Sequence, residues 1–278
     1  MNDTERGTFF AFGLPKSGTT WLQMLLDAHP SVSCPSEHQV SFLLDALPKL
    51  LNDYNLVLRE IDRRTAQQGA ATLGQQDLMS VTRAFIEACI ESGARRKNAR
   101  TAGIKDNTVA THFGLFRELF PAARYLCIVR DPRDATISSW HHNRRVEPDF
   151  AARAADFSDW AAQTWQRWAE TYENVLAATN GSDEAAGILI LRYEDLIGAQ
   201  RDSVLQRAFR HIGISLDAAE AAALFERTDA ERLRSGPGGG FYRSARAEGW
   251  RNAPERPQIP APPRAAQVLL ERFRYPVT

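Results

Sequence analysis

The chain has 278 residues, 44% hydrophobic and 24% charged, enough for one large α/β domain with a substantial core. Its 34 basic and 34 acidic residues cancel, which argues against a general nucleic-acid or membrane binder and leaves room only for a local basic site. The apolar run Phe9–Leu14 is too short for a signal-peptide core or a membrane span. Three widely spaced cysteines, Cys34, Cys89 and Cys127, lack metal-ligand spacing and predict reduced thiols in a cytoplasmic protein, with Cys127 in the core.

Taken in chain order, strand-like and helix-like segments alternate, the pattern of a mostly parallel sheet covered on both faces. Thr8–Phe12 predicts a first strand, Gly13–Gly18 a turn, and the next segment a helix that buries Leu22, Leu25 and Leu26 and stops at His29-Pro30. Residues 40–98 read as largely helical. A short strand is predicted near Gly103–Lys105, then a helix presenting Phe113, Phe116, Leu119 and Phe120 that Pro121 breaks. Tyr125–Val129 and Ile188–Leu191 are short apolar runs of the buried parallel type, the second preceded by a turn at Asn180-Gly181. Helices are expected over Ala155–Ala178, Arg201–His211, Ala218–Glu226 and Arg264–Phe273. No internal repeat is visible, and Gly236–Gly240 and Pro254–Pro263 are the compositionally odd stretches.

The segment Gly13-Leu-Pro-Lys-Ser-Gly-Thr-Thr20 lies between the first strand and its helix. A glycine-rich turn feeding a helix N-terminus offers free N–H groups and the positive end of the helix dipole to a phosphate. Nucleotide hydrolases place lysine directly after the second glycine. Here that position is Thr19 and the lysine sits inside the loop, at Lys16, where it meets the bridging oxygen of a terminal group.

Pro15-Lys-Ser-Gly-Thr-Thr-Trp21 resembles the 5′-phosphosulfate loop of sulfotransferases. Arg130-Asp-Pro-Arg-Asp-Ala-Thr-Ile-Ser138 resembles the second motif of that family, in which the arginine and the serine grip the 3′-phosphate. A guanidinium at a strand's carboxyl end suits such a site on chemical grounds as well. Arg192-Tyr-Glu-Asp-Leu196 is similar to the family's tyrosine–acid motif, which places Tyr193 beside the adenine, and Thr228 matches a threonine used against the same base. Phe241–Asn252 looks like a degraded copy of a C-terminal family motif, with Arg243 and Trp250 aligned and Ser244, Ala245, Glu248 and Gly249 replacing a lysine, two glycines and an aspartate.

The resemblance implies a single-domain, P-loop-like three-layer sandwich over residues 1–278 and 3′-phosphoadenosine 5′-phosphosulfate as cosubstrate, with no metal. It implies nucleotide contacts from Pro15, Lys16, Ser17, Gly18, Thr19, Thr20, Trp21, Arg130, Ser138, Tyr193, Thr228 and Arg243. Sulfuryl transfer, like phosphoryl transfer, is governed by positioning and charge stabilisation. Lys16 and Lys105, the latter at a predicted strand end, are the expected catalytic cations. Glu37 and His38 compete for the role of base. Phenol and steroid sulfotransferases use a histidine, but theirs follows the strand-end lysine, where this chain has Asn107. Protein-tyrosine sulfotransferases use a glutamate nineteen residues after the loop's second glycine, which selects Glu37.

Two rivals stand beside this reading: a P-loop kinase, whose lysine would follow Gly18, and a non-catalytic nucleotide-binding module. The acceptor is expected to be a small alcohol or phenol. Leu14–Leu47 is most similar to protein-tyrosine sulfotransferases, making a peptide tyrosine the alternative, but the arginines that hold acidic peptides there are replaced by Gln39 and Leu43. Residues 40–100 and 140–180, including Trp140, His141 and His142, are expected to wall the acceptor pocket. No nucleic-acid or membrane partner is expected, and a homodimer is left open.

Overall fold

The computed structural model describes residues 6–35, 37–67, 69, 71–179, 187–228 and 247–277. The first half runs β1 (Gly7–Phe12), α1 (Thr19–Asp27), β2 (Val32–Ser33), α2 (Val40–Thr65), α3 (Gln75–Lys97), β3 (Thr101–Lys105), α4 (Thr108–Thr111), α5 (Phe113–Leu119) and β4 (Arg124–Val129). There follow α6 (Pro132–Val146), α7 (Phe150–Arg153), α8 (Phe157–Ala177), β5 (Ile188–Arg192), α9 (Tyr193–Ile197), α10 (Arg201–His211) and α11 (Ala218–Arg227). Two short 3-10 turns (Gly249–Asn252 and Arg256–Gln258) lead to α12 (Arg264–Arg272). The predicted turn at Asn180-Gly181 and the run Gly236–Gly240 lie outside the described residues.

The strands form one sheet in the order β2-β3-β1-β4-β5, every neighbouring pair parallel. β1 is central, with Phe10 opposite Ile104 on one side and Tyr125 on the other. Because side chains alternate along a strand, β1 feeds two cores at once. Phe9 and Ala11 pack with Leu22, Leu25 and Leu26 of α1 and Leu205 and Phe209 of α10. Phe10 and Phe12 pack with Phe113 and Phe116 of α5, Trp168 and Tyr172 of α8, and Leu269 and Leu270 of α12. The result is the expected three-layer arrangement, with Cys127 fully buried in it.

β2 has no counterpart among the predicted strands: two residues are too few for a periodic signal, and Val32 and Ser33 pair with Thr101 and Ala102 to extend the edge. The helical stretch 40–98 is a hairpin whose second helix opens after Gly74, where the Asp77 carboxylate accepts the Gly74 N–H at 2.8 Å. Pro48 sits inside α2. Among the described residues, no helix is long and apolar enough to cross a membrane.

A parallel sheet ends all its strands at one edge, so Phe12, Lys105, Val129 and Arg192 release their following loops on the same side. Phe10 braces this frame: fully buried, it contacts the rings of Phe116, Phe120 and Tyr125 at 5.3, 5.0 and 5.5 Å. Phe10→Ala should lower unfolding stability by about 3–5 kcal/mol, the usual cost of a buried phenylalanine. Phe42→Ala, at a residue 76% exposed, should stay within about 0.5 kcal/mol. Denaturant midpoints for the two variants check both values, and equal shifts would refute the placement of Phe10 at the brace.

Candidate active site

The turn after β1 is shaped by close approaches. A Cβ on Gly13 would stand 2.3 Å from the Ile128 carbonyl oxygen, so only glycine lets β1 leave the sheet past β4. Gly18 has φ 91°, and a Cβ there would meet the Tyr193 ring at 2.4 Å. Lys16 adopts the left-handed region as well, at φ 68°, a strained conformation for a side chain of its kind. Tyr172 ties the turn to the sheet: its hydroxyl receives the Leu14 N–H at 3.4 Å and donates to the Ile128 carbonyl at 3.2 Å. No side chain caps α1 at Gly18, so the first turn of that helix turns its N–H groups to the cleft beside Thr19 and Thr20.

Arg130 follows β4 and reaches across to this turn. Its guanidinium donates to the Lys16 carbonyl at 2.9 Å and lies 4.5 Å over the Tyr193 ring. Asp131 then caps α6 by accepting the Arg133 N–H at 2.9 Å, and Pro132 opens the helix. Two turns along, Ser138 lines the same cleft. Trp21 stands edge-on to Tyr193, 6.3 Å between centroids, and donates its indole N–H to the Thr228 carbonyl at 3.1 Å. Pro15, Lys16, Gly18, Thr19, Thr20, Trp21, Arg130, Ser138 and Tyr193 therefore share one cleft of about 850 Å³.

Two expected nucleotide contacts lie behind that wall. Ser17 is fully buried and gives its N–H to the Leu14 carbonyl at 3.1 Å. Thr228 is 4% exposed, and its hydroxyl donates to the Leu224 carbonyl at 2.9 Å, so it borders the cleft through Trp21. Arg243 lies outside the described residues.

Across the cleft, the Lys105 ammonium and the Glu37 carboxylate pair at 3.0 Å, the lysine side chain 3% exposed and the glutamate 33%. Glu37 lines the cleft, and His38 is not among its lining residues. Asp106, which no sequence motif singles out, explains how the two meet. One of its oxygens accepts the Val40 N–H and the other the Thr108 N–H, both at 2.9 Å. The end of β3 therefore holds the start of α2, three residues after Glu37, in place. The one signal in the sequence is an acid following a strand-end lysine, too common in turns to stand out.

Much of the rest of the wall comes from α6 and α8, completed by Arg153 and the Gly249–Glu255 stretch. Trp160, Thr164, Arg167 and Trp168 fall at i, i+4, i+7 and i+8, one face of α8, and line the cleft with His141, His142 and Asn143. Burial, and next the charge of Lys16, lower the pKa of His142 and favour its neutral imidazole. His141 pairs with Glu255 at 2.6 Å, and Glu147 pairs with Arg153. The expectation for 140–180 thus holds in part, although Trp140 belongs to a neighbouring hollow with Arg144 and Phe150. The expectation for 40–100 does not hold: no described residue of α2 or α3 lines the cleft, because the hairpin packs against the β2–β3 edge of the sheet.

Residues 8–218 match the model of the sulfotransferase family. Protein-tyrosine sulfotransferase A of Caenorhabditis elegans is 31% identical over 130 residues, 47% of this chain and 32% of that protein. The nodulation protein NoeE of Sinorhizobium fredii is 27% identical over 123 residues, 44% of this chain and 28% of that protein. These alignments span about a third or less of the relatives' length. Among solved structures, a mouse sulfotransferase complexed with PAP has a TM-score of 0.55 at 16% identity, covering 98% of this chain and 84% of that one. The sulfotransferase domain from the curacin biosynthetic pathway has a TM-score of 0.56 at 16% identity, covering 98% of this chain and 99% of that one. Identity so low speaks for the fold alone; the family model, which matches most of the chain, carries the assignment, and the chain belongs to the sulfotransferase family.

Proposed function

We propose that this chain transfers a sulfuryl group from 3′-phosphoadenosine 5′-phosphosulfate to the hydroxyl of a small alcohol or phenol. The observation that carries the reading is the meeting, in one cleft, of a glycine turn holding Lys16 with the Glu37–Lys105 pair. The residues suit the nucleotide. Gly18 lets Tyr193 pack directly against the turn, the uncapped start of α1 offers N–H donors, and Arg130 and Ser138 supply a cation and a hydroxyl for a second phosphate. Bound there, the nucleotide would supply an activated sulfuryl group on a bridging phosphate oxygen.

In this scheme, Glu37 takes the acceptor's hydroxyl proton while that oxygen bonds to sulfur and the sulfur–phosphate oxygen bond breaks. Lys16 and Lys105 neutralise the charge that develops on the leaving oxygen and the transferring group. Tyr193, held under Arg130, and Trp21, which stands edge-on to it, supply aromatic surface for the adenine. Neither Gln39 nor Leu43 brings a positive charge to the cleft: Gln39 is exposed and uncharged, and Leu43 is buried in the core. All three cysteines are free thiols, which agrees with a cytoplasmic setting.

Two outcomes test the reading. Adenosine 3′,5′-bisphosphate should bind much more tightly than AMP in calorimetry, and Arg130→Ala should cost the bisphosphate about 2–3 kcal/mol while AMP loses little. Equal affinity for the two nucleotides would remove Arg130 from the phosphate site. For the base, Glu37→Gln should lower kcat by about 10²–10⁴ with nucleotide binding intact, and His38→Ala should cost far less. Loss of turnover in His38→Ala with Glu37→Gln still active would reverse the roles.

A further inference from the structure

The charges of the cleft do not cancel evenly along its length. Its carboxylates are Glu37, Asp134, Glu147 and Glu255. Each is engaged: Glu37 by Lys105, Glu147 by Arg153, Glu255 by His141, and Asp134 by the Trp250 N–H at 2.8 Å. Lys16 and Arg130 stand at the glycine turn. Arg167, exposed on α8, also lines the cleft and has no carboxylate partner among the described residues. Its guanidinium lies 5.5 Å from the centre of the Trp160 ring, which holds the charge in place without neutralising it.

Trp168, beside Arg167 on α8, is 1% exposed and contributes its ring to the wall of the cleft. Arg167 is therefore the group on this helix left to meet an oxygen-rich anion in the cleft. The aromatic character of the wall, with Trp160 and Trp168 both buried, suits a flat carbon skeleton between that anion and the reacting hydroxyl.

Building on the transferase reading above, we infer that the acceptor is an aromatic hydroxyl compound carrying a carboxylate, and that Arg167 receives the carboxylate. The helix sets the length. Tyr172 touches the glycine turn, and Arg167 lies five residues earlier on α8, about 7.5 Å along the axis. The side chain leans further toward the N-terminus, over Trp160, so hydroxyl and carboxylate are separated by more than a single ring.

The test uses 4-hydroxyphenyl alkanoic acids from acetate to hexanoate and their methyl esters, with wild type, Arg167→Gln and Arg167→Lys. In wild type, kcat/KM for the longer acids should exceed that for the matched esters by about tenfold or more, chiefly through KM. Arg167→Gln should bring the acid-to-ester ratio close to one, and Arg167→Lys should restore part of it. A ratio near one in wild type overturns the inference, as does an Arg167→Gln loss shared equally by acid and ester. Faster turnover of an aspartate-flanked tyrosine peptide than of any small acid overturns it too. Calorimetry with PAP separates the two levels. PAP binding without preference for acid over ester refutes the role of Arg167 and leaves the transferase reading standing, whereas absence of PAP binding refutes the transferase reading itself.

Discussion

Between Gly13 and the carbonyl of Ile128 there is no space for a methyl group, and the rest of the site depends on that approach. Because the backbone of β1 can pass so close to β4, the turn that follows curls over the strand ends instead of leaving the sheet. Tyr172 then fastens it, accepting from Leu14 and donating to the same Ile128 carbonyl. The strain visible at Lys16 is carried by this fastening. It leaves the lysine in the cleft at the mouth of an uncapped helix, where a flexible surface turn would leave its position to chance.

The opposite wall depends on a second constraint of the same kind. Lys105 and Asp106 are neighbours at the end of β3 with separate roles. The lysine pairs with Glu37, and the aspartate holds the first N–H groups of α2 and α4. Between Glu37 and α2, Gln39 takes up a left-handed φ of 52° to start the helix. The strand end anchors that start. Buried carboxylates elsewhere follow the same logic. Burial raises the pKa of Glu194, while the Asp131 N–H and the Tyr275 hydroxyl stabilise its charged form and tie the α9 segment to β4 and the C-terminal segment.

How much of this is legible in the sequence depends on whether a feature is local. The loop 13–18 can be read because strand, glycine spacing and helix are contiguous. Tyr125–Val129 and Ile188–Leu191 can be read because fully buried strands are apolar throughout. The Glu37–Lys105 pair joins residues 68 positions apart, and the choice of each rests on resemblance to a family; no pattern in the chain announces that they meet. The role of Asp106 is invisible for the same reason. In α8, tryptophans at 160, 165 and 168 read alike, yet Trp165 serves the core alone, Trp160 lines the cleft, and Trp168 does both. The hairpin α2–α3 misleads because its pattern shows how it packs on itself and says nothing of which sheet edge it covers.

The cleft is assembled from two sources that hardly overlap. Strand ends and their turns furnish one part, tied into the sheet by backbone hydrogen bonds, whereas α6, α8 and the Gly249–Glu255 stretch furnish the rest. Exchanges at Thr164 or Arg167 disturb neither the sheet register nor the helix, because both side chains stand outside the core. If the proposed acceptor contact on α8 is right, acceptor choice can drift through point changes in one helix while the strand-end residues stay as they are.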